Sequence, residues 1–220
     1  MAYQHQWYGG QEIELPLGKV VCIGRNYAEH ARELNNPVPD TPILFIKPST
    51  AVVPLEHPLL LPQQWGAVHY ETELAILVGE RLTGADEQQA VAAITGIGLA
   101  LDLTLRGLQS ELKAKGHPWE RAKSFDGACP LSRFLPPADL GPLGALRFNL
   151  SINGEGRQQG DSGQMLTSIP ALLAHASESF TLLPGDVVLT GTPAGVGVLA
   201  SGDKLALDLQ ACAQFSTSVT

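Results

Sequence analysis

Charge is scarce in this chain, and what there is leans acidic. Only 16% of residues are charged, and 22 Asp and Glu against 14 Lys and Arg give a formal net charge of −8. That balance disfavours nucleic acid as the main partner and leaves no basic patch for a membrane surface. No apolar run approaches the ~18 residues of a membrane span, and the N-terminus lacks a signal-peptide pattern. Cysteine is nearly absent. Cys22, Cys129 and Cys212 form no Cys-x-x-Cys pair, and an odd number suits reduced thiols, so the cytoplasm is the expected compartment. The commoner catalytic signatures are missing too. There is no Gly-x-Ser-x-Gly elbow, and the run from Gly191 to Gly197 lacks the Lys-Ser/Thr ending of a phosphate loop. No helix pattern follows that run either, so its glycines read as a tight turn.

What is present is 44% hydrophobic residues, with Gly 23 and Pro 16, in 220 residues. That is enough chain for one core, broken into many short strands and turns. The fold class expected is α+β, β-dominated, as one domain. Residues 1–17 read as an irregular arm or edge hairpin turning at Gly9-Gly10, and 18–220 as the main domain. Strands are expected at Lys19 to Ile23, Ile43 to Lys47, Val68 to Val78 and Gly96 to Leu103, then near Leu146 to Ile152, Val187 to Thr190, Leu205 to Leu209 and Phe215 to Val219. Asn26 with Glu29 suggests a capping box for a short helix. With few large apolar residues and a Pro/Asp-rich loop behind it, this helix reads as a lid. Other helices are expected from Asp86, from Thr104 to Lys115, and from Ser168 to about Phe180. Asn153-Gly154 predicts a type I′ hairpin.

Three carboxylates stand out because their surroundings are apolar. Glu71 and Glu73 alternate onto one face of the Val68 to Val78 strand, and Asp102 is the lone charge in Ile97 to Leu105. Such a group needs compensation, from Lys or Arg partners, from solvent on an edge strand, from a shared proton, or from a divalent cation. An all-oxygen set favours Mg²⁺ or Mn²⁺, with Ca²⁺ as a structural stand-in, over Zn²⁺. His30 and Glu33, three apart on a helix, are neighbours, so the carboxylate can orient the imidazole as a general base. Arg25, Lys47, Arg106 and Lys123 each lie beside a strand end or turn, where they could receive an anionic substrate or make ordinary ion pairs.

These residues occur within longer segments that resemble one family. Gly24-Arg25-Asn26-Tyr27-Ala28-Glu29-His30, Leu44-Phe45-Ile46-Lys47-Pro48-Ser49 and His69-Tyr70-Glu71-Thr72-Glu73-Leu74 are similar to segments of fumarylacetoacetate hydrolase family proteins. So are Leu101-Asp102-Leu103-Thr104-Leu105-Arg106, the run from Pro118 to Phe125, and the run from Leu189 to Gly197. The resemblance is to the small single-domain branch with acylpyruvases and oxaloacetate decarboxylases. It implies a β-rich roll of mixed sheets with a few flanking helices and a short lid helix, assembled as a homodimer. It implies Glu71, Glu73 and Asp102 as metal ligands, His30 and Glu33 as a catalytic dyad, and Lys123 as a lysine beside the substrate. Lys47, Arg106, Gln109 and Thr192 fall in segments that line the family's pocket. The substrate class is a small anionic 2-keto acid. Acylpyruvate hydrolysis to pyruvate and a carboxylic acid ranks first, because the water-activating dyad is intact. Oxaloacetate decarboxylation or keto–enol tautomerisation comes second. Isomerisation of aromatic-degradation intermediates and non-catalytic metabolite binding rank lower.

Overall fold

Strands of two to eight residues, cut short by Gly and Pro, sort into three sheets in the computed structural model, which describes residues 3–220. The largest has seven strands, in the order Ile43–Lys47, Val20–Gly24, Val187–Leu189, Thr72–Val78, Ile94–Leu101, Cys129–Leu131 and Val52–Pro54. It is mixed: Val20–Gly24 runs parallel to Val187–Leu189, and Val52–Pro54 parallel to Cys129–Leu131, while its other neighbours are antiparallel. All seven residues of Thr72–Val78 are buried. That matches a strand covered on both faces, where apolar residues run on without alternation.

A four-stranded antiparallel sheet holds Glu155–Asp161, Arg147–Ile152, Lys204–Leu209 and Ala213–Ser218. Alternation is clean here. Phe148, Leu150, Ile152, Leu205, Leu207, Leu209 and Phe215 point inward, and the intervening residues are polar or small. Asn153 and Gly154 both have positive φ, 54° and 83°, as the expected type I′ turn requires. The third sheet is small: Gly197–Val198, Val68–Tyr70 and Thr104–Leu105.

Helices flank the sheets. Glu87–Ala92 begins with a full capping box from Asp86, and Ile169–Ser179 is capped by Ser168, as expected. In the arm, Gln6 bridges Glu12 and Trp7 bridges Phe134, and His5 is fully buried with Nε2 3.0 Å from the Gly185 carbonyl oxygen.

Three local expectations need correction. The Val68 to Val78 strand is two strands, Val68–Tyr70 and Thr72–Val78, in different sheets, with Glu71 at the break. Thr104 does not start a helix; it pairs with His69, and the helix is Arg106–Ala114. Asn26 does not cap the short helix, which is Ala28–Glu33 with Tyr27 at its N-cap. The Asn26 amide instead donates to the carbonyls of Thr167 and Thr190 and accepts from the Thr167 N–H. Those long-range bonds tie the entry to this helix to the strand end at Thr190. A sequence cannot distinguish a cap from such a tie, since the same amide serves either.

Candidate active site

The break at Glu71 positions the acids. Thr72 pairs with Leu101 and Glu73 with Ala100, so Asp102 lies just past the end of the partner strand. Both chains leave the seven-stranded sheet at the same level and re-pair in the small sheet, where Val68 meets Leu105 and His69 meets Thr104. A bond from Asp102 N–H to the Glu71 carbonyl, 2.8 Å, joins them at the crossing. Strand Val187–Leu189 runs along the other side, opposite Ala75 to Leu77, and delivers the Gly191 N–H to Glu73 Oε2 at 2.6 Å. Gly191 has φ +93°, and a Cβ there would meet Asn26 Cβ at 2.8 Å, so the approach needs glycine.

Glu71, Glu73 and Asp102 are each 5% exposed or less, and each offers an oxygen within 4.8 Å of the others. Two of them have cationic partners. Lys123 Nζ lies 2.9 Å from Glu71 Oε2 and 2.6 Å from Asp102 Oδ2, Lys47 Nζ lies 2.8 Å from Asp102 Oδ1, and Arg106 pairs with Glu71 Oε1. Ordinary ion pairing therefore accounts for Glu71 and Asp102. It does not account for Glu73, which has no Lys or Arg partner among the described residues. Burial, Asp102 and Glu71 push its pKa well above the usual carboxylate range. Burial acts on Glu71 the same way, but Lys123 and Arg106 overcome it and hold that pKa low. Burial alone would favour loss of the Lys123 proton; Asp102 and Glu71 outweigh it and push the pKa up, so the ammonium persists. Asp102 Oδ1 is also without a hydrogen bond, its contact to Lys47 being ionic only. Three buried, converging carboxylates with one uncompensated acid fit a hard divalent cation.

One pocket collects Arg25, His30, Glu71, Glu73, Asp102, Arg106, Gln109, Lys123 and Thr192. Two of the expected residues lie outside it. Lys47 is fully buried behind Asp102, with its ammonium also on the Lys123 carbonyl, so it braces the acid and does not face substrate. Glu33 stands behind His30, with Oε2 3.3 Å from Nδ1 and Oε1 accepting from the Gly195 N–H at 3.0 Å. Burial pushes the His30 pKa below its ordinary value, against the opposing pull of Glu71 and Glu33. The imidazole is thus neutral at neutral pH, with Nε2 left for the pocket. Gln109 accepts from Arg106 at 2.9 Å and fixes the guanidinium. The Thr192 hydroxyl donates to the Thr72 carbonyl, 2.9 Å, and accepts from Gln158 Nε2, 2.8 Å.

Sequence reasoning missed four contributors. Gln158 is 1% exposed and reaches in from the four-stranded sheet, accepting from Thr72 N–H and donating to Thr192 and the Pro193 carbonyl. A buried Gln in the polar strand Glu155–Asp161 carries no local signal. Phe45, Lys113 and Trp119 also line the pocket. Lys123 Nζ sits 5.1 Å from the Phe45 ring centre, and Lys113 Nζ sits 4.7 Å from that of Trp119. The basic turn at Lys113 to Trp119 was the available hint.

The family model for the fumarylacetoacetate (FAA) hydrolase C-terminal domain matches residues 19–220. The chain belongs to this family. It is 51% identical over 204 residues to the oxaloacetate tautomerase YcgM of Escherichia coli (strain K12), covering 92% of this chain and 93% of the relative. A fumarylacetoacetate hydrolase family protein from Yersinia pestis CO92 superimposes with a TM-score of 0.97 at 47% identity, covering 99% of this chain and all of the other. The fumarylpyruvate hydrolase of Pseudomonas aeruginosa, solved in complex with Mn²⁺ and pyruvate, superimposes with a TM-score of 0.92 at 34% identity, covering all of this chain and 96% of the other. The β-dominated fold of mixed sheets is the family's. No helix among the described residues is long and apolar enough to cross a membrane.

Proposed function

We propose that this protein is an oxaloacetate tautomerase, interconverting the keto and enol forms of a small anionic 2-oxo acid. The observation that carries this reading is the 51% identity, over nearly the whole of both chains, to a relative of that name. Sequence analysis ranked acylpyruvate hydrolysis first and oxaloacetate chemistry second; the relatives support the second better. Glu71, Glu73 and Asp102 would hold Mg²⁺ or Mn²⁺. Such an ion, when bound, supplies a Lewis acid for the substrate's 2-oxo oxygen.

The chain's own groups do the rest. Neutral His30, held through Nδ1 by Glu33, takes the C3 proton at Nε2 and passes it to the C2 oxygen to give the enol, the reverse transfers regenerating the keto form. Protonated Lys123 sets a hydrogen-bond donor where negative charge develops, and Arg106, fixed by Gln109, adds a second. Thr192 shapes the wall. We assign residues 18–220 as the catalytic domain and 1–17 as an arm, in a cytoplasmic homodimer. Three free cysteines, two of them buried, are consistent with a reducing compartment.

Hydrolysis of a 2,4-dioxo acid is the second reading. It is favoured by the 34% identical fumarylpyruvate hydrolase and by a dyad suited to activating water. An assay of one metal-loaded preparation separates them. Decay of the enol absorbance of oxaloacetate, without pyruvate release from acetylpyruvate or fumarylpyruvate, supports the tautomerase. Rapid pyruvate release from either acylpyruvate, with no effect on enol decay, overturns it.

A further inference from the structure

The pocket holds more positive charge than its carboxylates use. Lys47, Lys123 and Arg106 are all engaged by Glu71 or Asp102. Arg25 and Lys113 also approach the pocket, yet neither forms an ion pair with a carboxylate among the described residues. Arg25 reaches only neutral oxygens, Asn36 Oδ1 at 2.9 Å and the Pro37 carbonyl at 3.4 Å. Lys113 Nζ stands over the Trp119 ring.

The two come from different elements. Arg25 follows the strand Val20–Gly24 with a left-handed φ of 60°, uncommon for a residue with a side chain and typical of sites where strain serves function. Lys113 lies in the last turn of the helix Arg106–Ala114. They are close enough to feel each other. After burial, Arg25 is the largest influence lowering the Lys113 pKa, followed by Arg106 and Lys123. Like charges drawn together without a counter-ion make a site for an anion. Three acids and the three cations Lys47, Lys123 and Arg106 sum to zero formal charge, although none of those cations pairs with Glu73, so a divalent ion plus Arg25 and Lys113 would leave the pocket strongly positive. A substrate with one carboxylate offsets one of those charges; a dianion offsets two and places the second at Arg25 and Lys113.

We propose that Arg25 and Lys113 clamp the distal carboxylate of a dicarboxylic 2-oxo acid whose other end reaches Glu71, Glu73 and Asp102. This rests on the tautomerase reading for the identity of the substrate. It adds a reason for the choice of reaction. Decarboxylation of oxaloacetate breaks the C3–C4 bond, leaves the electron pair on C3 as the enolate of pyruvate, and releases neutral CO₂. Two cations on the C4 carboxylate stabilise the anion and lose that interaction as CO₂ forms, so they oppose this route. Tautomerisation moves a proton from C3 to the C2 oxygen and keeps the carboxylate charged throughout. The clamp therefore selects dicarboxylates and suppresses decarboxylation.

The test uses the full-length, Mg²⁺-loaded protein and two inhibitors: malate, which has a distal carboxylate, and oxalate, which has none. Lys113→Met should weaken malate binding by about tenfold or more, the loss of one charge-assisted hydrogen bond, and leave oxalate binding unchanged. Lys113→Arg should restore malate binding. The ratio of pyruvate release to enol decay from oxaloacetate should rise in Lys113→Met. Equal weakening of both inhibitors, no weakening of either, or an unchanged product ratio overturns the clamp. A wild type that does not tautomerise oxaloacetate, but whose malate binding depends on Lys113 while oxalate binding does not, supports the clamp and overturns the functional reading.

Discussion

Glu73→Gln separates a metal site from a network of ion pairs. In the metal-free protein Glu73 is buried beside two acids, with one backbone N–H bond and no ion pair among the described residues. A Gln there keeps an oxygen for the Gly191 N–H and removes the repulsion from Asp102 and Glu71. The metal-free variant should therefore be as stable as wild type or more so. With metal the order reverses. A ligand that binds only the folded state at ~100 times its Kd adds ~2.7 kcal/mol. For a chain of this size that raises Tm by roughly 5–11 °C, at ~2–4 °C per kcal/mol. Wild type should show that rise on adding Mg²⁺ after chelation, and Glu73→Gln should lose most of it. Thermal melts by circular dichroism, with and without the ion, measure both halves. A variant with the full wild-type rise would refute the assignment. So would a metal-free variant that melts far below wild type, since Glu73 would then be a stabilising partner and not an uncompensated charge.

The geometry sets three further outcomes. Lys47→Ala strips Asp102 and the Lys123 carbonyl of a fully buried partner, and should cost about 3 kcal/mol in denaturant unfolding. A loss near zero would put Lys47 outside the support of the site. His30 titrates below its ordinary value because it is buried, so as pH falls the base should survive past 6.5 before kcat/KM declines. Glu33 opposes that depression, so Glu33→Gln should move the acid limb to still lower pH; a shift to higher pH would contradict the pairing. Gly191→Ala forces a side chain into a left-handed conformation against Asn26. It should cost about 1–3 kcal/mol and weaken metal binding, because the Gly191 N–H no longer reaches Glu73. Unchanged Mg²⁺ affinity by titration calorimetry would contradict that link.

Much of the site was legible because apolar surroundings make a charge conspicuous. Asp102 stands out directly after the aliphatic run Ile94–Leu101, and Glu71 and Glu73 stand out in the same way. Their convergence was not legible, since it depends on Thr72 pairing with Leu101 and on both chains leaving the sheet together. Strand-favouring residues on both sides also hid the break at Glu71, because strand propensity does not register a change of sheet. The place of Lys47 was not legible either. A cation at a strand end reads as solvent- or substrate-facing, and only the packing puts its ammonium in the interior against Asp102. Helices with local caps, at Asp86 and Ser168, were readable because their signals lie within three residues. Asn26 was misread because its partners, Thr167 and Thr190, are distant in the chain. Gln158 was missed for the same reason.

The central claim is that His30 moves a proton at C3 while the carbon skeleton stays intact. Oxaloacetate incubated with the Mg²⁺-loaded protein in deuterated water, followed by proton NMR, tests it directly. Wild type should exchange deuterium into C3 well above the spontaneous rate without accumulating pyruvate, and His30→Ala should return exchange to near that background. Pyruvate accumulation with no enhanced exchange, or full exchange in His30→Ala, would contradict the account.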